Sequence, residues 1–271
     1  MIATLNIIGA GKVGKVLGQL FHRLHVFSVQ DVLTRSPSSS TDACKFIGTG
    51  HAVTKFSALR AAAVFMITVP DDQIKTCTQQ LRQHGLIQAD TIVFHCSGAL
   101  SSDELELGPG AASLHPLRSF ANPISVAKNF SGTVCTLEGD PRATAFLTSA
   151  LEQLGARTVS IEKEAKTLYH AGAVFASNYL VTLLDAALQT FVTAGISPEM
   201  AARMVQPLAQ ETFNNVFDLG TQRALTGPIA RGDNRTVARH EAALSSWDDE
   251  IAALYQELAN ATRKMKNRHE A

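Results

Sequence analysis

The chain has 271 residues, 45% hydrophobic and 18% charged, enough to bury one large core or two modest ones, and two domains are the natural division. Its 24 Lys and Arg balance 24 Asp and Glu, so no field of one sign argues for nucleic acid, an anionic membrane or a polyanionic substrate, and a small neutral or singly charged substrate fits better. The cysteines Cys44, Cys77, Cys96 and Cys135 lie far apart without a C-x-x-C pair, which predicts neither a disulfide framework nor a metal site and points to a reducing, cytoplasmic setting.

MIATLNIIGAGKVG opens the chain as an apolar strand followed by glycines, which does not read as a secretory signal. Within it Gly9, Gly11 and Gly14 stand in G-x-G-x-x-G register with Ala10, Lys12 and Val13 between them, after a strand and before the amphipathic spacing Val13, Val16, Leu17, Leu20, Phe21, Leu24. That context is what dinucleotide binding requires. Gly9 serves the tight turn, Gly11 admits a pyrophosphate, Gly14 lets helix and strand pack, and the helix N-terminus offers free N–H groups to phosphate.

The second strand, SVQDVLTR, ends at Leu33-Thr34-Arg35-Ser36. NAD-specific chains place a carboxylate there for the ribose 2′-hydroxyl, but Asp31 sits inside the strand, four residues early. Thr34, Arg35 and Ser36 instead suit a 2′-phosphate, through a guanidinium fork and hydroxyl donors, and favour NADP over NAD. The Ser-rich RSPSSST that follows is expected to be a loop. AVFMITVP brings Val69 and Pro70 to the end of the next strand, either as an apolar wall for the nicotinamide or as an ordinary strand terminus. TIVFHCSG and AASLHP carry Ser97, Gly98, His115 and, just beyond, Arg118 to the same edge. There they face substrate, or His115 before Pro is simply structural. GTVCTLE and ARTVSIE complete a run of strands alternating with helical patterns, which predicts a mostly parallel, doubly covered sheet over residues 1–160.

From 161 to 271 the strand signals stop and an all-helical domain is expected. One helix is predicted from Glu162 to Thr193. Its segment 171–196 is long enough to span a bilayer, but Asn178, Asp185 and Gln189 make it read as a buried bundle helix instead. A second helix starts at Ser197-Pro198, contains Pro207 and stops near Gly220; a third runs from about Arg235 to the C-terminus. On the first, His170 and Ser177 differ by about 20° around the axis and about 10 Å along it, with Asn178 about 80° away, so all three can face one substrate. His170 is either a satisfied core residue or a proton donor and acceptor of ordinary histidine chemistry. Arg231-Gly232-Asp233 interrupts the helices after Gly227-Pro228. Its adhesion reading falls with the cytoplasmic setting. What remains is a turn whose Asp233 or Asn234 caps the last helix and whose Arg231 holds a substrate carboxylate or pairs with a structural acid.

The glycine fingerprint, VPDDQI, HCSG, SLHPLRSF, HAGAVFASN and ALTGPIARGD together resemble, over essentially the whole length, a family of Rossmann-like proteins with a C-terminal domain of unassigned function, DUF2520. In plan that domain is similar to the helical domains of 6-phosphogluconate dehydrogenase, ketopantoate reductase and pyrroline-5-carboxylate reductase. The resemblance implies hydride transfer between NADP and a small carbonyl, imine or hydroxy compound in a cleft between the domains, within a homodimer locked by the helical domain. With hydride transfer as the expected reaction, the residues themselves suggest His170, Ser177 and Asn178 as catalytic residues and Arg231, His115, Ser97 and Gly98 as substrate ligands. The chain departs from its better-known relatives in lacking the Lys one turn before Asn178: position 174 is Val, and His170 or Lys166 stands nearest. Two alternatives accompany this expectation: an NADP-binding sensor without chemistry, and a dehydrogenase like prephenate dehydrogenase.

Overall fold

The computed structural model describes residues 2–267. Eight strands, β1 (Thr4–Ile8), β2 (Ser28–Leu33), β3 (His51–Val53), β4 (Val64–Ile67), β5 (Ile92–His95), β6 (Ala111–Pro116), β7 (Val134–Gly139) and β8 (Arg157–Ser160), form one sheet in the order β3-β2-β1-β4-β5-β6-β7-β8. Every neighbouring pair is parallel except β6 with β7. Strand order reverses between β1 and β4, and in open sheets of this kind ligands bind at the carboxyl edge beside such a reversal.

Side chains alternate between the two faces of each strand, and both faces are apolar. Leu5, Ile7, Val64, Met66, Ile92, Phe94, Ala112 and Leu114 belong to one cluster with α1 (Lys12–Arg23), α2 (Pro37–Ile47), α4 (Pro123–Lys128) and α5 (Pro141–Gln153). Ile8, Phe65, Ile67, Val93 and Ala111 join a second cluster with α3 (Ile74–Gln83). Phe21, Phe65 and Phe94 are fully buried, and each contributes about 2 kcal/mol of transfer free energy.

The structure corrects two expectations in this part of the chain. The short β3 completes the edge beside β2, and the Ser-rich segment is the start of α2 rather than a loop. Ser36 caps that helix by accepting from Ser39 N, and Pro37 occupies its first turn.

Beyond β8 come α6 (Lys166–Ala176), α7 (Asn178–Thr193), α8 (Pro198–Leu219), α9 (Thr221–Ala224), α10 (Gly227–Arg231), α11 (Asn234–Ser245) and α12 (Asp249–Asn267). The chain divides into two compact units between Ser177 and Asn178, so α6 belongs with the sheet. The single helix expected over 162–193 is interrupted there: Ser177 has φ −127° and ψ −65°, outside the helical region. The third expected helix is also two, because Asp248 accepts from Glu250 N and Ile251 N, both at 2.9 Å, and starts α12 afresh. Nor is the apolar segment buried within the chain. Lys163–Thr193 is long and apolar enough to cross a membrane by length and composition, with mean hydropathy 1.4, and Val181 on it is 67% exposed. Ser197 caps α8 by accepting from Met200 N, and Pro207 lies inside that helix.

Candidate functional site

Two glycines of the first loop, Gly9 and Gly14, occupy positions that only glycine fits. Gly9 has φ +77°, and a Cβ there would lie 2.7 Å from Val69 Cγ1 and 2.8 Å from the Thr68 carbonyl. At Gly14 a Cβ would lie 2.3 Å from Thr68 Oγ1, which itself donates to the Gly9 carbonyl. A Cβ at Gly11, by contrast, would meet nothing within 4 Å. Gly11 caps α1 without a side-chain acceptor, so the N–H groups of the first turn face an open approach, the arrangement that receives a pyrophosphate. Gly18, which the glycine pattern did not include, packs α1 onto β1: its Cβ would come 2.7 Å from Ile7 Cδ1. Lys12 extends to the Ala121 carbonyl at 3.2 Å, and Ala10 and Val13 pack against the core.

At the end of β2, Gly9 N donates to the Leu33 carbonyl at 2.8 Å, which ties the phosphate loop to Thr34, Arg35 and Ser36. Asp31 is fully buried and unavailable to a ribose: Arg60 contacts it at 2.6 Å through Nη2 and 2.8 Å through its backbone N–H. Arg35 is exposed and has no hydrogen bond or ion pair among the described residues, while the hydroxyls of Ser36, Ser38 and Ser39 gather at the start of α2. A cation beside a cluster of hydroxyls fits a phosphate on the ribose.

Farther along the same edge, the loop after β5 is built around His95. Its Nδ1 accepts from Ser97 N at 3.2 Å, so Nε2 carries the proton and donates to the Ser101 carbonyl at 3.0 Å; burial lowers its pKa to about 4. Ser97 Oγ donates to Asp71 at 2.9 Å and accepts from Ala99 N and Leu100 N, which commits the hydroxyl to the loop itself. Val69 packs over Gly9, and Pro70 begins the 3-10 turn that carries Asp71.

Gly98 is pressed between two imidazoles. A Cβ on it would lie 2.3 Å from His170 Cδ2 and 2.9 Å from His115 Nε2. The two rings are 5.8 Å apart and nearly perpendicular. His115 Nδ1 is 2.9 Å from the Tyr169 hydroxyl, and burial, followed by the charges of Lys166 and His170, lowers the pKa of this histidine to about 4. Among the described residues, no hydrogen bond reaches His115 Nε2 or either nitrogen of His170. Imidazole nitrogens left without a protein partner at a sheet edge can exchange a proton with a bound small molecule.

Arg118 turns away to Thr133 Oγ1 at 2.9 Å and to the Asn129 carbonyl. Ser177 lies at the break after α6 and Asn178 opens α7, both exposed, so the helical geometry drawn from His170 to Ser177 ends one residue short. In the second unit Gly232 has φ +72° and Asp233 caps α11, accepting from Thr236 N at 3.0 Å and Thr236 Oγ1 at 2.7 Å; these bonds hold its carboxyl below the usual range. Arg231 is exposed at the end of α10 and forms no ion pair with Asp233. Lys166 is the residue the sequence undervalued. It is 1% exposed and donates to the Ser97 carbonyl at 3.0 Å and to Ser113 Oγ. Its i, i+4 spacing to His170 was the available signal.

Residues 3–109 match the family of Rossmann-like domains, and residues 133–262 match the domain of unknown function DUF2520. No curated protein matches the sequence significantly. Among solved structures, protein TM1727 from Thermotoga maritima is 26% identical with TM-score 0.74, covering 98% of this chain and 100% of that one. BF3122 from Bacteroides fragilis, provisionally described as an NADP oxidoreductase, is 19% identical with TM-score 0.81, covering 97% and 98%. The pyrroline carboxylate reductase of Plasmodium falciparum, crystallised with NADP bound, is 11% identical with TM-score 0.61, covering 97% and 98%. At 19% and 11% identity, these last two share the fold.

Proposed function

We propose that this chain, which joins a Rossmann-like domain to a DUF2520 domain, is an oxidoreductase that uses NADP(H) to interconvert a small carbonyl or imine with its alcohol or amine. The observation that carries the reading is the pair of imidazoles at Gly98, set on the same carboxyl edge as an intact phosphate loop. β1 and β6 are separated by β4 and β5, so at ~4.8 Å per strand the pair lies about 14 Å along the edge from the loop, within the span of an extended dinucleotide. The neighbouring folds provisionally described as an NADP oxidoreductase, or solved with NADP bound, support the same cofactor class.

Gly9, Gly11 and the N–H groups of Lys12, Val13 and Gly14 hold the pyrophosphate, and Thr34, Arg35 and Ser36 hold the 2′-phosphate. Val69 and Pro70 wall the nicotinamide side. When bound, NADPH supplies the hydride that adds to the substrate carbon. His170 gives its proton to the oxygen or nitrogen that gains negative charge, and solvent reprotonates it. His115, neutral above about pH 4, offers Nε2 as a hydrogen-bonding partner for the same substrate atom. Gly98 keeps the space between the rings free of a side chain.

We also propose that a second copy of the chain covers the apolar surface of the helical unit. Val181, Leu208, Phe213 and Phe217 are 67%, 61%, 53% and 74% exposed, and α7, α11 and α12 flank an apolar groove of about 450 Å³. Such a surface on a soluble chain marks an interface.

The test of the enzyme reading combines calorimetry with a substrate panel. NADPH binds more tightly than NADH, and Arg35→Ala weakens NADPH about tenfold, the loss of one charge-assisted contact, while leaving NADH unchanged. Across 2-oxo acids, imines and aldehydes, His170→Ala abolishes NADPH oxidation without changing NADPH affinity. Tight NADPH binding with no oxidation on any member of the panel would replace the enzyme by a cofactor-sensing protein.

A further inference from the structure

Lys166, Tyr169 and His170 are spaced i, i+3, i+4 and share one face of α6, while Ser113 and His115 are spaced i, i+2 and share one face of β6. The two stripes meet in register. Lys166 Nζ donates to Ser113 Oγ, the Tyr169 hydroxyl lies 2.9 Å from His115 Nδ1, and the His170 ring lies 5.8 Å from the His115 ring. Lys166 also donates to the carbonyl of Ser97, the residue that leads into Gly98.

A lysine 1% exposed is a costly way to fill this space. Burial pushes its ammonium below the ordinary lysine range, and no carboxylate touches it. Glu138 is held by Ser102 at 2.7 Å, and Asp71 by Ser97 at 2.9 Å. A methionine would fill a similar volume without the desolvation penalty, so packing alone does not account for the charge.

We propose that Lys166 is a positioning residue for the imidazole pair: its ammonium ties the Ser97-Gly98 turn and β6 to α6 and fixes Gly98 between His115 and His170. Its charge adds to burial, the larger cause, in keeping His115 neutral. The inference deepens the oxidoreductase reading, which supplies the reason for a neutral ring there. The other titratable groups of the cluster are Tyr169 and His170 on α6, His95 on β5 with Cys96 after it, Cys135 and Glu138 on β7, and Asp71 after β4; burial, more than the Lys166 charge, keeps His95 neutral as well. Burial raises both thiols and the phenol, so Lys166 and a protonated His170 are the cations that oppose a proton on His115.

The test needs neither cofactor nor substrate, so its outcome stands apart from that of the oxidoreductase reading. Imidazole NMR of the full chain follows the His115 titration. Its midpoint near pH 4 moves up by about one pH unit in Lys166→Met, a tenfold gain in proton affinity. In Lys163→Met, which removes only a surface contact to Asp103, it stays in place. A folded Lys166→Met, or Lys166→Gln if the first does not fold, whose His115 midpoint is unmoved overturns the proposal. If neither folds, Ser113→Ala decides: amide exchange at Gly98 and Ala99 quickens at least tenfold if the clamp holds the turn, and unchanged exchange overturns it.

Discussion

The two units of this chain bury their apolar residues differently. In the first, both faces of the sheet are closed by helices of the same chain, and even the polar Asp31, His95 and Ser113 are fully buried with partners. In the second, Ala201, Val205, Val237 and Ala259 are the buried hydrophobics among the described residues, while Phe217 and Val181 remain 74% and 67% exposed. A unit that completes its own core can hold a site in place; a unit that does not has apolar surface left for a partner. The largest expected effect tests that contrast directly. Phe217→Asp combined with Val181→Asp places charge in the proposed interface and weakens dimerisation by a factor of about a thousand, or ~4 kcal/mol. Light scattering should then fall from twice the chain mass of 29.0 kDa to that mass. A monomeric wild type, or a dimer indifferent to both substitutions, breaks the comparison.

The next effect belongs to the first unit and is driven by pH. His95 and His115 are held near pKa 4 by burial, below the ~6.5 of an unfolded chain. As pH falls, the unfolded chain takes up the protons first. The stability these residues permit is therefore full above about pH 6.5, falls between 6.5 and 4, and levels off below 4, with ~3 kcal/mol lost for His95 alone. Urea unfolding at pH 7 and pH 4.5 should show the sheet unit losing stability, with the slope reduced in His95→Gln. The histidine of the second unit among the described residues, His240, is exposed and gives no buried counterpart.

Gly98→Ala is expected to cost somewhat less stability, about 1 to 3 kcal/mol, because the added methyl would sit 2.3 Å from His170 Cδ2 inside a packed site. It separates the rings, and NADPH oxidation should drop by a hundredfold or more while NADPH affinity is kept. Equal losses of binding and turnover would show that the loop collapses as a whole.

How much of this was legible in the sequence follows from the range of the interactions. The phosphate loop was, because the strand, the glycine spacing and the helix that follows lie in one short stretch, even though the contacts that exclude a side chain at Gly9 and Gly14 come from Thr68 and Val69 beyond β4. The caps at Ser197 and Asp233 were legible for the same local reason. Ser36 offered an equally local signal, Ser followed by Pro, yet its serine-rich setting suggested a loop. The Lys166 clamp was not legible, since it joins residues 53 and 69 positions apart and nothing in either stretch alone calls for the other. Nor was the break at Ser177. The run from 171 to 193 is apolar with good helix formers, and periodicity does not record where a helix passes from one compact unit to the next.

The smallest expected effect sits on that border. Leu168, Gly172 and Phe175 are spaced i, i+4, i+7 and form one exposed stripe of α6, with Leu168 79% and Phe175 70% exposed. Gly172 is helical, and a Cβ there would meet nothing within 4 Å. In the monomeric background of Phe217→Asp combined with Val181→Asp, Gly172→Ala should therefore stabilise the chain by about 0.5 to 1 kcal/mol, the entropy glycine gives up in a helix. In the wild-type background the gain should shrink if the second copy reaches across the unit boundary onto this stripe, because the added methyl must then be accommodated against the partner. An equal gain in both backgrounds would confine the interface to the second unit and leave α6 wholly to the site it helps to build.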